Sequence, residues 1–299
     1  MILCCGEALI DMLPRESREG EAAFAPYPGG AVFNTAVAAG RLGAPTGFFA
    51  GLSRDFFGEM LAGALAASGV ASDLCPRSDR PTTLAFVRLV DGQASYAFYD
   101  EGTAGRMLSP RELPPVPQGV SALFFGGISL VSEPCGSAYE ALMLAAARDR
   151  VTMIDPNVRP GFIRDEPAYR ARIDRMLAAA DIVTLHCPLS PATRHLIDAQ
   201  TLAAMKPGAI LVNTGRGALV DERALIDALH SGHLSGAGLD VFEREPTVPP
   251  QLLAMDNVTL TPHMGSATRE CRGAMFDCAL QNAIACFEGR PLLTPVDPG

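Results

Sequence analysis

The sequence of 299 residues has no apolar run that approaches the roughly 18 residues of a membrane-spanning helix. Its formal net charge of −9 argues against the basic face that binds nucleic acid or an anionic membrane. Glu7 and Asp11 interrupt the apolar N-terminal stretch, which has no basic leader, so we expect no signal peptide. The hydrophobic fraction of 48% and the charged fraction of 19% predict a folded, globular, cytoplasmic protein with one large or two ordinary domains.

Cysteine and histidine do not form the clusters that bind zinc, and we predict no metal site. The eight cysteines are dispersed along the chain. Cys4 and Cys5 lie in the first predicted strand, whereas Cys271, Cys278 and Cys286 share one face of a predicted helix. This distribution favours reduced cysteines in the core of a cytosolic protein over a set of disulfides.

Histidine is absent from the first part of the sequence, because all five histidines lie at or after His186. The motifs described below also change type near Asp181, Ile182 and Val183. Arginine and alanine are abundant on both sides of this point, which indicates similar codon usage in the two parts. The chain therefore consists of two parts that join near residue 183.

The first part contains predicted strands and a predicted hairpin. A buried strand from Ile2 to Asp11 ends in a carboxylate, and the turn Pro28-Gly29-Gly30-Ala31 then leads to a helix of small residues. Two alternating stretches, Thr83 to Leu89 and Ala94 to Tyr99, flank Asp91-Gly92. This pattern strongly favours a β-hairpin.

These segments resemble the ribokinase-like (pfkB-type) carbohydrate kinases, and fructokinases most closely, from residue 1 to about residue 183. The matching residues are Gly6-Glu7, Asp11, Gly29-Gly30, Asn34, Gly51, Asp55, Gly58 and the segment Asp155-Pro156-Asn157-Val158-Arg159-Pro160. The resemblance implies that Asp11, Gly29-Gly30 and Asn34 hold sugar hydroxyls beneath the hairpin as a lid. It also implies that Asn157 and Arg159 lie near the phosphates of ATP. The alternative is that Asp11 only caps a turn and Asn34 a helix.

One part of the kinase chemistry is missing. In this family the catalytic base is the aspartate of a contiguous Gly-Ala-Gly-Asp, whose glycines open a helix that holds the transferring phosphate. The nearest segment here is Gly236-Ala237-Gly238-Leu239-Asp240, and it is followed by the β-forming Val241-Phe242. We therefore expect kinase turnover to be lost or very weak, and ATP with magnesium to be used only if the base is replaced.

In the second part, strands alternate with helices at a rhythm typical of a parallel, doubly wound sheet. The predicted strands are Asp181–Leu185, Ala209–Asn213, Gly236–Phe242 and Val258–Thr261. The predicted helices follow the turn Pro188–Thr193, cover Glu222–His230 and run from about Ala267 to Glu288.

This part closely resembles the C-terminal half of D-isomer-specific 2-hydroxyacid dehydrogenases, from about residue 181 to residue 293. The matching segments are His186-Cys187-Pro188-Leu189, Met205-Lys206-Pro207-Gly208, Val212-Asn213-Thr214-Gly215-Arg216-Gly217, Gly238-Leu239-Asp240-Val241-Phe242 with Glu245-Pro246, and Thr261-Pro262-His263 with Gly265-Ser266. The resemblance implies that Arg216 binds and polarises a 2-keto acid, and that His263 is the general acid/base. Glu245 would orient His263 and raise its pKa. The alternative for a single histidine or arginine is an ordinary surface residue.

The same resemblance implies a nicotinamide cofactor, NAD or NADP. Its contacts would be Pro188 on the adenine side and Asn213, Thr214 and Asp240 toward the nicotinamide. The predicted βαβαβ order before the join would place Asp155 where a ribose-binding acid belongs. However, no G-x-G-x-x-G precedes these residues, and the dehydrogenase's own substrate domain is missing.

The predicted fold is α/β, a doubly wound, mostly parallel Rossmann-like sheet with a small β lid. We expect residues 1–120 to form the sugar-kinase-like part with its lid. Residues 121–299 would form the Rossmann-like part, because the predicted βαβαβ order before the join matches that of a mononucleotide-binding half.

Three functions remain open. The first is a weak NAD(P)-dependent oxidoreductase acting on a small 2-hydroxy or 2-keto acid, because Arg216, Glu245 and His263 are all present. The second is a protein that binds a fructose-like sugar without catalysis, and the third is an inactive recombinant. A small molecule is the expected partner, and a homodimer is one of the oligomeric states that the sequence leaves open.

Overall fold

A computed structural model describes residues 1–90 and 93–295 of the chain. The strands are β1 Ile2–Cys5, β2 Leu9–Glu16, β3 Ala22–Gly29, β4 Thr46–Phe49, β5 Leu52–Ser53, β6 Val70–Ala71, β7 Arg77–Ser78, β8 Leu84–Val90, β9 Gln93–Tyr99, β10 Ala122–Gly126, β11 Val151–Asp155, β12 Ile182–Leu185, β13 Ile210–Asn213, β14 Gly236–Leu239 and β15 Val258–Leu260. The helices are α1 Ala31–Arg41, α2 Phe56–Ala67, α3 Cys135–Ala146, α4 Glu166–Leu177, α5 Ala199–Ala204, α6 Glu222–His230, α7 Pro250–Leu253 and α8 Arg269–Phe287.

One large parallel sheet runs through both parts of the chain. Its strand order over the described residues is β15-β14-β13-β12-β11-β10-β1-β4-β6. From β1, the chain first adds β4 and β6 on one side and then adds β10 and all later strands on the other. The winding direction therefore reverses between β1 and β10, which is the topological switch point where open α/β sheets bind ligands.

The join lies between two neighbouring strands of this sheet. β11 pairs with β12 in parallel, with Met153 opposite Ile182 and Ile154 opposite Val183. Ile154, Val183 and Leu211 are each 0% exposed and belong to one hydrophobic core. The two parts therefore share a continuous sheet and a common core, and the predicted α/β fold class is confirmed.

A second, four-stranded sheet has the order β3-β2-β8-β9 and carries the lid. β8 and β9 pair antiparallel, as the hairpin prediction requires. The predicted turn residues Asp91-Gly92 lie outside the described residues. The lid is larger than predicted, because β2 pairs with both β3 and β8.

The prediction of one strand from Ile2 to Asp11 is wrong. The chain leaves the large sheet after Cys5 and enters the lid sheet at Leu9. Gly6 lies at this change of direction, where the side chain of Val32 packs so closely that a Cβ would overlap it. The two strands are therefore separated at Gly6, where the chain packs closely against α1. The alternation of residues within one strand does not indicate this contact.

Helix limits in the second part follow local capping. α6 has the predicted limits, because the Asp221 side chain accepts hydrogen bonds from the N–H groups of Arg223 and Ala224. The turn after Pro188 does not lead directly into a helix; α5 begins only at Ala199.

α8 is mostly exposed, and no helix within residues 1–90 and 93–295 is long and apolar enough to cross a membrane.

The cysteines of the first part and Cys187 are buried, as predicted for core thiols, and all eight are free. The prediction does not hold for α8, where Cys271 and Cys278 are partly exposed and Cys286 is exposed.

Candidate functional site

A cavity of about 570 Å³ opens at the carboxyl ends of β1 and β10. We call it the switch-point cavity. Its polar lining comes from Glu7, Asp11, Asn34, Asn157 and Arg159, and its lining also includes Gly30, Gly127, Phe162 and Pro188. The structure therefore brings together the sugar-side and phosphate-side residues that the sequence predicted, at the edge where the topology favours a ligand.

Asp11 and Asn34 face this cavity from two different elements. Asp11 lies on β2, opposite Tyr27 of β3 and Ala85 of β8, and burial raises the pKa of its carboxyl group. Asn34 lies on α1, one turn after the N-cap residue Gly30, and its N–H donates to the Gly30 carbonyl at 2.9 Å. The two side chains can therefore offer a carboxylate and an amide to the same ligand.

Gly30 has a left-handed φ of 112°. A Cβ at this position would lie 2.8 Å from the carbonyl oxygen of Glu7. The turn into α1 thus requires glycine for both its backbone conformation and its close contact.

Asn157 and Arg159 line the cavity on its β11 side. Asn157 has a φ of 39°, and its N–H donates to Asp155 Oδ1 at 3.0 Å. Among the described residues, Asn157 Oδ1 and Arg159 Nη1 are buried without a hydrogen-bond partner.

Asp155 is only 4% exposed. Burial raises its pKa to about 6, although the N–H groups of Asn157 and His186 and the charge of Arg159 act in the opposite direction. Its carboxyl group is therefore enclosed by the protein, where Oδ1 accepts from the N–H of Asn157.

Glu7 is a site residue to which sequence reasoning assigned no role. Its Oε1 accepts from the N–H of Ala31 at 2.8 Å, and its Oε2 accepts from the N–H of Ser129 at 3.4 Å. The available signal was its place two residues after β1, at the carboxyl edge of the sheet.

Asp240 does not have the surroundings of a kinase base. Its carboxylate accepts from Thr261 Oγ1 at 2.5 Å and from the N–H groups of Met264 and Gly265 at about 3.0 Å. Burial by itself raises the pKa of Asp240, but these hydrogen bonds outweigh burial and lower it. β14 ends at Leu239, and the next described helix begins at Pro250, so no helix N-terminus follows Asp240. The predicted strand extension over Val241 and Phe242 is wrong, because both residues lie in a loop.

His263 and Glu245, which the sequence predicted to act together, are in contact. His263 Nδ1 lies 2.7 Å from Glu245 Oε2, and the hydrogen bond from His263 lowers the pKa of Glu245. The positive charge of Arg216 contributes to the same shift. The His263 side chain is 46% exposed and that of Glu245 is 35% exposed, so the pair lies on the surface.

Asn213 and Asp240 hold the loops that carry these groups. Asn213 Nδ2 donates to the carbonyl of Arg216 at 2.9 Å, and its Oδ1 accepts from Gly215 N–H at 3.1 Å. Asp240 holds the loop after His263, because its carboxylate accepts from the N–H groups of Met264 and Gly265. Thr214 Oγ1 lies 3.4 Å from His186 Nδ1.

The residues near this pair do not form the usual site for a dinucleotide. In a dinucleotide-binding sheet, the strand that carries the ribose-binding acid is separated from the fourth strand by the glycine-rich one. Here β11, which ends in Asp155, pairs directly with β12. The loop between β11 and α4 contains Gly161 but no glycine-rich turn that opens a helix. Pro188, predicted for the adenine side, instead lines the switch-point cavity.

Two protein families match the chain. The pfkB family of carbohydrate kinases matches residues 1–186. The NAD-binding domain of D-isomer-specific 2-hydroxyacid dehydrogenases matches residues 136–265. The chain is therefore chimeric, with a kinase-like N-terminal part and a C-terminal part similar to the NAD-binding domain of these dehydrogenases.

Individual relatives divide in the same way. A fructokinase from Rhizobium leguminosarum bv. trifolii is 59% identical over 183 residues, which are 61% of this chain and 56% of that protein. A hydroxyphenylpyruvate reductase from Plectranthus scutellarioides is 48% identical over 128 residues, 43% of this chain and 41% of that protein. The chain thus spans about half the length of the curated relatives it matches. The solved structure of a fructokinase from Xylella fastidiosa superimposes with a TM-score of 0.63 at 29% identity, over 80% of this chain and 69% of that one.

Proposed function

We propose that this chain, which belongs to the pfkB family of carbohydrate kinases, binds a fructose-like sugar in the switch-point cavity and does not phosphorylate it. The observation that carries the proposal is the meeting of Asp11, Asn34, Asn157 and Arg159 around one cavity. A cavity of about 570 Å³ is within the usual range of roughly 300–1,000 Å³ for small-molecule sites.

The polar groups of the cavity suit a polyhydroxylated ligand. Asp11 offers carboxylate oxygens that accept hydrogen bonds, whereas Asn34 offers both an acceptor and two donors. Vicinal hydroxyls both donate and accept, so the two side chains together match them.

Asp240, the nearest counterpart of the kinase base in the part of the chain that the structure describes, does not open an anion-binding helix. The Asp240 carboxylate is bonded to Thr261, Met264 and Gly265 and has no helix N-terminus behind it. Since phosphoryl transfer depends on positioned groups that stabilise the transferring phosphate, we expect no turnover of ATP with magnesium.

Calorimetric titration with fructose tests the binding. We expect heat of binding for the wild type, none for Asp11→Ala, and unchanged heat for Asp79→Ala, whose side chain is 90% exposed. The absence of heat for the wild type would overturn the proposal. A coupled assay with fructose, ATP and magnesium tests the prediction that the sugar is not phosphorylated. Turnover in the usual kinase range of about 1–100 per second would contradict that prediction.

A second candidate is dehydrogenase-type action on a small 2-keto or 2-hydroxy acid, and the His263–Glu245 pair favours it. In this proposal Arg216 binds the carboxylate of the acid and His263 exchanges a proton with its oxygen. It takes second place because the described loop between β11 and α4 has no glycine-rich turn that could hold the pyrophosphate of NAD or NADP. Its test is the loss of NADH absorbance with glyoxylate, hydroxypyruvate or pyruvate.

A further inference from the structure

We propose that Glu7 is a positioning residue of the sugar site, which holds the turns at Gly30 and Gly127 in fixed places on either side of the switch point. This inference rests on the proposed sugar-binding function. Glu7 lies two residues after the end of β1, and the Gly127 turn follows the neighbouring strand β10. The Gly30 turn arrives from the lid strand β3.

The carboxylate of Glu7 connects these turns through its two oxygens. Oε1 accepts from the N–H of Ala31 at 2.8 Å, which is the first residue of α1. Oε2 accepts from the N–H of Ser129 at 3.4 Å, in the 3-10 helix Ile128–Leu130. These N–H groups belong to the starts of helical segments, where no intrahelical acceptor is available.

The glycines of both turns pack closely against Glu7. Gly127 has a left-handed φ of 72°, and a Cβ there would overlap the Glu7 carboxylate. A Cβ at Gly30 would approach the Glu7 carbonyl instead. Both turns thus pack against Glu7, and a residue larger than glycine at position 30 or 127 would clash with it.

The position of Glu7 affects the groups that face the sugar. Ala31 follows Gly30 directly, and Gly30 accepts the hydrogen bond from Asn34 N–H that begins α1. A shift of Ala31 therefore moves both Gly30 and Asn34 relative to Asp11. Because hydrogen bonds to a ligand weaken steeply with misalignment, such a shift reduces affinity even though Asp11 and Asn34 are both still present.

The inference is tested by replacing the carboxylate and then supplying one from solution. We expect Glu7→Ala to bind fructose at least about tenfold more weakly than the wild type, since two N–H groups lose their acceptor. Sodium acetate should restore much of the affinity, whereas sodium chloride at equal ionic strength should not. Glu7→Gln keeps one acceptor oxygen and should lose less than Glu7→Ala. Glu101→Ala is the matched control, because the Glu101 side chain is 82% exposed and lies far along the chain from Glu7.

Amide hydrogen exchange gives a readout that does not depend on the sugar. In Glu7→Ala, exchange at Ala31 and Ser129 should become faster, and acetate should slow it again. Unchanged exchange at both amides, or fructose affinity equal to that of the wild type, would overturn the inference. If Glu7→Ala does not fold, the same comparison between Glu7→Gln and the wild type decides it. A wild type that binds no fructose would instead overturn the proposed function, whatever the exchange data show.

Discussion

Lys206 Nζ lies 2.7 Å from Asp181 Oδ1, and this ion pair ties the second part of the chain to the join. The other carboxylate oxygen of Asp181 accepts from the N–H of Thr152 at 2.8 Å, in the kinase-like part. One carboxylate at the change point is therefore bonded to both parts.

Replacing this lysine should weaken the join in a pH-dependent manner. Lys206→Met should lower the free energy of unfolding by about 0.5–1 kcal/mol at pH 7, because the pair is partly exposed. Burial by itself raises the pKa of Asp181, but the bonds from Lys206 and Thr152 outweigh it and lower the pKa. The contribution is thus present above the ordinary aspartate pKa of about 4 and is lost as the pH falls through the lower folded value.

Urea unfolding of both proteins at several pH values measures this difference. Lys206→Arg, which keeps the charge, should resemble the wild type. A difference between wild type and Lys206→Met that stays constant down to strongly acidic pH would contradict the assignment.

The contribution of Asp155 to stability should depend on pH in the direction opposite to that of Asp181. Its pKa in the folded protein is about 6, above the ordinary value, so the folded state binds a proton more tightly than the unfolded state. Stability contributed by the protonated form is lost as the pH rises through about 6. We expect Asp155→Asn to be more stable than the wild type by about 1–2 kcal/mol at pH 7, and by much less near pH 4. Thermal unfolding at the two pH values measures this, and an equal difference at both would argue against it.

Short motifs in the sequence predicted which residues lie near one another better than they predicted the strand order around them. The motifs of Asp11, Asn34 and His263 depend on short spacings, and the structure places these side chains beside their expected neighbours. The strand order could not be predicted from alternation alone. In a βαβαβ pattern, each new strand can be added on either side of the preceding strand. The face of the sheet on which the crossover helices pack decides the side, and here it places β11 next to β12. The contact of Glu7 with Ser129 spans 122 residues, so no local pattern indicates it.

Gly30→Ala should damage the sugar site and the fold together. The left-handed φ and the close Glu7 carbonyl predict a loss of about 1–3 kcal/mol in the free energy of unfolding and weaker fructose binding. Gly63→Ala is the control, because Gly63 lies within α2 and a Cβ there meets nothing within 4 Å. That variant should gain roughly 0.5–1 kcal/mol, since alanine favours helix over glycine. Denaturant titrations that show equal effects for both variants would refute the conformational argument.

His263→Ala separates dehydrogenase-type chemistry from background. If the wild type oxidises NADH with glyoxylate or hydroxypyruvate, the variant should lose at least about 10²-fold of that rate, because general acid/base groups typically contribute 10²–10⁴-fold. His233→Ala serves as a comparison, since His233 Nε2 lies 2.9 Å from the carbonyl oxygen of Leu202 and His233 has no role in the proposed chemistry. Equal rates for the wild type and His263→Ala would remove the second candidate function.

A crystal structure grown with fructose tests the sugar site most directly. We predict electron density for the sugar in the switch-point cavity, with hydroxyls within hydrogen-bond distance of Asp11 and Asn34. An empty cavity at saturating fructose, or sugar bound only at the surface near Arg216 and His263, would contradict the proposed function.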